Sequence, residues 1–307
     1  MDQQELEEHL RQMRELPQDW WKWGNTALVL SDWFHRHLLG LSIAYDDESG
    51  RHRAHASGFL VDYLGKLCWF SAGHVVVEIL RIRNDPKYRL SDFRWLDRHP
   101  AKDASTLPAH NKQPTAYYQY GRGRDFGMIV LDGLDELHVR SNEGLVLMTE
   151  QGWANLEGSN PEGYYVFGFP IEWQSVDETP ANTRQTRVAL VAPLSCLPVV
   201  RIDPPLVSVR DEFWDDKNAF YGEIVAFERI EDPAQFQPSD IVGMSGGPLL
   251  SLERQLDGRI RYRLFGVLVS WNKRNRYVRV EPIQRIIDEL VKPWLQSREP
   301  VNSRGHS

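Results

Sequence analysis

The chain has 307 residues, and 36 Lys and Arg against 43 Asp and Glu give it a formal net charge of −7. That balance argues against electrostatic wrapping of nucleic acid or anionic lipid. Hydrophobic residues at 41% and charged residues at 26% are those of a globular chain that buries a core as one large or two modest domains, which excludes disordered and fibrous classes.

The first residues, MDQQELEEHLRQMREL, are acidic and lack the apolar stretch of a secretory signal, so export by that route is not expected. Asp2 and Glu5 form an N-cap box, and Leu6, Leu10, Met13 and Leu16 recur at helical spacing until Pro17. After Trp20, Trp21 and Trp23, a second helix is predicted from Thr26 to about His37. Residues 1–37 thus read as an N-terminal helical extension that must pack on something larger. From Leu38 the texture changes to short β-type runs: LLGLSIAY, SGFLVDY and LCWFSA are predicted as three meandering strands separated by the turns DDESGR and LGK. Residues 84–124, rich in Asp, Pro, Arg and Asn, read as a long connecting loop with local structure. Further strands are predicted at 129–131, 164–169, 187–192, 199–202, 223–227, 248–252, 261–271 and 277–280. Ile283, Ile286, Ile287, Leu290, Val291 and Trp294 then mark an amphipathic helix after Pro282, and 297–307 read as a disordered tail. So much β with so many turns suggests a barrel or a sandwich.

The longest apolar run, Ala189 to Val200, is broken by Pro193, Ser195 and Pro198 and is shorter than the roughly 18 residues of a membrane span. No membrane span is therefore expected. Cys68 and Cys196, the only cysteines, read as small buried hydrophobes rather than a disulfide framework. Together with the missing signal they point to a cytoplasmic protein.

Three segments carry chemistry: Phe70-Ser-Ala-Gly-His-Val75, Arg124-Asp-Phe-Gly-Met-Ile-Val-Leu131 and Gly243-Met-Ser-Gly-Gly-Pro-Leu249. They hold a base, a carboxylate and a hydroxyl. A serine hydroxyl is a weak nucleophile unless an imidazole takes its proton, and the imidazole needs a third group to set its tautomer. His74, Asp125 and Ser245 fit those roles, and the glycines around Ser245 allow the N–H groups of Gly243 and Ser245 to converge on one developing oxyanion.

These motifs, in this order, resemble the chymotrypsin/trypsin-like serine proteases, over roughly residues 38–296. Gly266-Val-Leu-Val-Ser-Trp271 resembles that family's strand beside the substrate cleft, and the last helix its C-terminal helix. The resemblance implies a mostly β fold of two packed six-stranded antiparallel barrels with the active site between them. It implies a serine endopeptidase acting on a protein or peptide substrate through an acyl-enzyme. Met244 stands where secreted relatives carry the aspartate that pairs with a newly cut N-terminus, so zymogen trimming is not expected. The nearer likeness is to bacterial-type intracellular members without a PDZ module, and control by the N-terminal helices, the 84–124 connection or a regulatory protein partner is the corresponding expectation. By the same analogy Ser239, Asp240, Ser270, Trp271 and Asn272 line a narrow polar substrate pocket, although Asp240 after Pro238 reads equally well as a solvated turn residue.

His35, His37, His52 and His55 show no ligand spacing, so neither a metal nor any other cofactor is expected. Arg122 and Arg124 read as a solvated face, not a nucleic-acid site. Two other functions use the same residues: an esterase with this triad, and a catalytically silent protease-fold module that binds a partner.

Overall fold

The computed structural model describes residues 34–97, 105–109, 114–121, 123–142, 144–153, 161–169, 175–179, 187–191, 195–204, 218–224 and 240–298. The predicted helices before Phe34, the candidate pocket residue Ser239 and the tail beyond Arg298 lie outside the described residues. Among the described residues no helix is long and apolar enough to cross a membrane.

The chain enters through a 3-10 turn, His35–His37, and builds β1 (Gly40–Asp47), β2 (Gly50–Ala56), β3 (Phe59–Tyr63) and β4 (Lys66–Ser71). Helix α1 (Gly73–Asn84) follows, then β5 (Arg89–Asp97), β6 (Ser105–Pro108), β7 (Ala116–Gly121), β8 (Arg124–Val130), helix α2 (Gly133–Arg140) and the short β9 (Met148–Thr149). These strands form two sheets, ordered β2-β1-β5-β6 and β7-β8-β4-β3-β9. The sheets meet where Leu38 bridges Phe59 and the Leu39 N–H donates to Gly58 O at 3.0 Å.

The second half forms a closed six-stranded barrel from β10 (Gly163–Gly168), β13 (Ser195–Arg201), β14 (Phe220–Ile224), β15 (Pro248–Arg254), β16 (Ile260–Asn272) and β17 (Tyr277–Pro282). A separate hairpin, β11 (Ser175–Thr179) with β12 (Arg187–Val191), stands apart from it. The last helix begins at Ile283, as predicted, and runs as α-helical Ile283–Ile286, π-helical Ile287–Val291 and α-helical Lys292–Arg298. This mostly β architecture, with its closed antiparallel barrel and terminal helix, is the double-barrel fold expected from the sequence.

Strand alternation divides the apolar side chains into three layers. In β4, Leu67 and Trp69 face the interior of the first unit with Leu41, Ile79 and Trp95, whereas Cys68 and Phe70 face the second unit. The interface layer joins Phe59, Phe70, Phe126 and Met128 to Phe167, Leu250, Leu264, Val267 and Ile283. A third layer, with Phe220, Met244, Phe265 and Val280, fills the closed barrel.

Two expectations need correction. The expected turn DDESGR is shorter than predicted, since Asp46 and Asp47 end β1 and Gly50 and Arg51 begin β2 (GRHRAHA), which pairs with β1 from Leu41↔Ala56 to Asp47↔Gly50. The 84–124 stretch is not one loop, because it contains β5, β6 and β7. The segment after Ser71 continues as α1, whose buried Val76, Ile79 and Ile82 recur at helical spacing. The packed body also begins before Leu38. Phe34 is buried, edge-on to Phe167 (4.7 Å) and Tyr262 (4.6 Å), and His37 bonds Tyr262 Oη at 2.7 Å and Val146 O at 2.9 Å. Phe34→Ala is expected to cost about 3–5 kcal/mol, the usual loss for emptying a buried phenylalanine site. Urea unfolding should show this as a lower midpoint at unchanged slope.

Candidate active site

β4 and β8 are antiparallel neighbours with Ser71 opposite Gly127, so the chain just past the end of β4 meets the start of β8. There Asp125, 4% exposed, accepts twice from one residue: the His74 backbone N–H reaches Oδ1 at 2.8 Å and His74 Nδ1 reaches Oδ2 at 2.8 Å. A carboxylate only accepts, so Nδ1 carries the proton and Nε2 presents its lone pair outward. The imidazole is the open member of the pair, with 37% of its side chain exposed against 6% for Asp125. Position 73 must be glycine, because a Cβ there would lie 2.4 Å from Gln119 O and 2.8 Å from Phe126 N. His74 also lines an apolar pocket of about 150 Å³ between β1, β2 and α1, walled by Leu41, Ile43, Ala56, Ile79 and Ile82. Tyr120, half exposed, sets its ring 6.4 Å from the imidazole.

The loop carrying Ser245 is held from both units. On the first, Ser57 Oγ donates to Gly243 O at 2.7 Å while accepting from the Phe169 N–H at 3.0 Å, and Ser71 Oγ donates to Ser57 O at 2.9 Å. On the second, the Gly246 N–H donates to Leu268 O at 2.7 Å, the Leu268 N–H donates to Gly247 O at 2.8 Å, and Met244 is sunk in the barrel interior. Gly246 has φ +95°, and a Cβ on it would lie 2.0 Å from Ser71 Oγ, so the loop touches the strand end three residues before His74. The N–H groups of Met244, Gly246 and Gly247 donate to backbone carbonyls. Among the described residues, nothing accepts from the N–H of Gly243 or Ser245, and Ser245 Oγ makes no hydrogen bond to His74.

Of the remaining candidate residues, Ser270, Trp271 and Asn272 end β16, and Asp240 is tied to the residue that follows them. Asp240 accepts from Lys273 Nζ at 2.9 Å and from the Val242 N–H at 3.2 Å. Burial works to raise its carboxyl, but these donors outweigh it and hold it below the usual range. Ser270 Oγ is buried with no partner, and Trp271 packs partly buried against the barrel interior. Asn272 Oδ1 accepts from the Asn275 N–H at 3.1 Å and so closes its own turn. Sequence reading missed Ser57 and Ser71. Their role depends on contacts as far as 186 residues apart, and the only local sign was the bend Ser57-Gly58.

Neither cysteine belongs to this cluster. Cys68 and Cys196 are both buried, and burial pushes the Cys68 thiol up to about 12. Since the thiolate is the reactive form, iodoacetamide at neutral pH should leave the folded protein unmodified. Mass spectrometry of the native and urea-unfolded protein checks this, with both thiols alkylated only after unfolding.

No protein-family model matches the chain, and no curated protein matches it. Among solved structures it is similar to the Rv3671c protease from M. tuberculosis in its active form, at 10% identity and TM-score 0.40, covering 84% of this chain and 81% of that one. It is also similar to a catalytically inactive tobacco etch virus protease complexed with substrate, at 12% identity and TM-score 0.37, covering 85% of this chain and 84% of that one.

Proposed function

We propose that the chain is a serine endopeptidase in which Ser245 is the nucleophile, His74 the general base and Asp125 the group that orients and stabilises the imidazole. The observation that carries this reading is the pairing of His74 with Asp125 through both carboxylate oxygens at an exposed ring, with the Ser245 loop resting on the strand end three residues before His74. In the first step Nε2 takes the Ser245 proton as Oγ bonds to the substrate carbonyl carbon. The carbonyl oxygen becomes an oxyanion held by the N–H groups of Gly243 and Ser245. Collapse breaks the C–N bond, and the leaving amine takes the proton from Nε2. Water then repeats the sequence on the acyl-enzyme and restores Ser245. One oxyanion donor is worth about 3 kcal/mol in comparable sites. Protein or peptide chains are the proposed substrates, met in the cytoplasm.

A silent binding module is the second reading, and the observation in its favour is the missing hydrogen bond between Ser245 Oγ and His74. Nucleophile and base are often loosely aligned before substrate binds, so chemistry decides between the two. A fluorophosphonate probe should label the wild-type protein and leave Ser245→Ala and His74→Ala unlabelled. Equal labelling of wild type and Ser245→Ala would remove the serine mechanism. Asp125→Asn should stay folded and lose roughly 10⁴-fold in turnover, because the amide favours the wrong imidazole tautomer. Cleavage of an unstructured protein substrate is the measurement.

A further inference from the structure

The most heavily buried charges in the described residues are not those of His74 and Asp125. Arg279 and Glu281 on β17 are both 0% exposed and paired with each other, and the same Arg279 nitrogen, Nη2, donates to Gly123 O. Arg285 on the last helix donates to Glu281 at 3.0 Å and to Glu289 at 3.1 Å, and Glu289 in turn pairs with Arg124. The Arg285 guanidinium also lies 5.9 Å from the centre of the Phe126 ring. This cluster of the second barrel and its helix therefore grips Gly123, Arg124 and Phe126, the residues that flank Asp125 on the first unit. Glu289 sits in the π-helical turn, a local widening often found where a helix serves a functional site.

Such a cluster is a poor way to gain stability. Desolvating a guanidinium and a carboxylate costs several kcal/mol per ion, and apolar residues of the same volume often pack as well or better. Arg279 is moreover only partly satisfied: its Nε and Nη1 have no partner, nor does Ser270 Oγ, although Ser270 is its register neighbour on β16. Buried groups left in this state call for an explanation other than packing.

We infer that Arg279 is a positioning residue for the active site. By fixing the Gly123 carbonyl from the opposite barrel, with Glu281 holding its guanidinium, it sets the entry of β8 so that the Asp125 carboxylate meets His74. The inference rests on the proposed triad, but its structural half is readable without turnover, because the His74 Nδ1–H bonded to Asp125 gives a low-field proton resonance that His74→Ala removes.

The test uses the full chain carrying Arg279→Met together with Glu281→Gln, which neutralises the pair and leaves Arg285 its ion pair with Glu289. The expected result is a folded protein by near-ultraviolet circular dichroism in which the low-field resonance is lost or moved upfield. Turnover of a peptide substrate should fall by about 10²-fold, as for misplacement of a catalytic group by about 1 Å, with KM within about twofold. Weaker support from the carboxylate disfavours the imidazolium, so the acidic limb of the kcat profile should move to lower pH. A folded double variant with wild-type resonance and pH profile overturns the inference. If the double variant does not fold, Arg279→Lys takes its place, and a lysine variant identical to wild type in both readouts overturns it equally. A wild type that shows the resonance but no turnover counts against the peptidase reading and leaves the positioning test to the resonance.

Discussion

A carboxylate buried to 4% exposure, with both oxygens committed to a single histidine, is the constraint around which this molecule is organised. A carboxylate at that depth is costly unless each of its oxygens meets a donor. Asp125 meets that demand with the backbone and the ring of His74, which requires the first turn of α1 to lie against the start of β8. The close approach at Gly73 and the antiparallel pairing of β4 with β8 both serve that one contact.

The second barrel completes the arrangement without supplying any atom to this pair. Its Ser245 loop is stitched to Ser57, which accepts from the Phe169 N–H at the end of β10, and it lies on the strand end that launches His74. The apolar layer between the units, from Phe59 and Phe126 to Leu264 and Ile283, provides the non-directional attraction. Directional contacts cross it from Ser57 Oγ to Gly243 O and from Arg279 Nη2 to Gly123 O. An interface built this way holds the Ser245 loop of one unit against Ser57 and Ser71 of the other, a placement that hydrophobic burial alone does not specify.

Much of this was readable from sequence where one residue pattern had one outcome. The long run of β16 and the helix after Pro282 announced themselves by apolar periodicity, and His74 and Asp125 by short motifs beside strands. β2, β5 and β7 were hidden because they carry Arg, His, Asp and Gln among their apolar residues, so the alternation that marks a half-buried strand was diluted. α1 was hidden by Val75, Val76 and Val77, a β-branched run that takes the helical form because Val76, Ile79 and Ile82 then share one buried face. Asp240, which the sequence left open between pocket and turn, pairs with Lys273, and Asn272 closes its own turn, partnerships that the motif strings do not spell out. The charged cluster at Arg279 left no sequence signal, because Arg279-Val280-Glu281 reads as ordinary strand alternation.

The central claim is that Ser245 attacks from a loop whose Gly243 and Ser245 N–H groups receive the oxyanion while His74 handles the proton. A crystal structure of the protein after reaction with a peptidyl phosphonate tests this most directly. The expected adduct has a bond from Ser245 Oγ to phosphorus, a phosphonyl oxygen about 3 Å from both N–H groups, and His74 Nε2 within hydrogen-bond reach. An adduct on another residue, or on Ser245 with its oxygen turned away from Gly243, would contradict it.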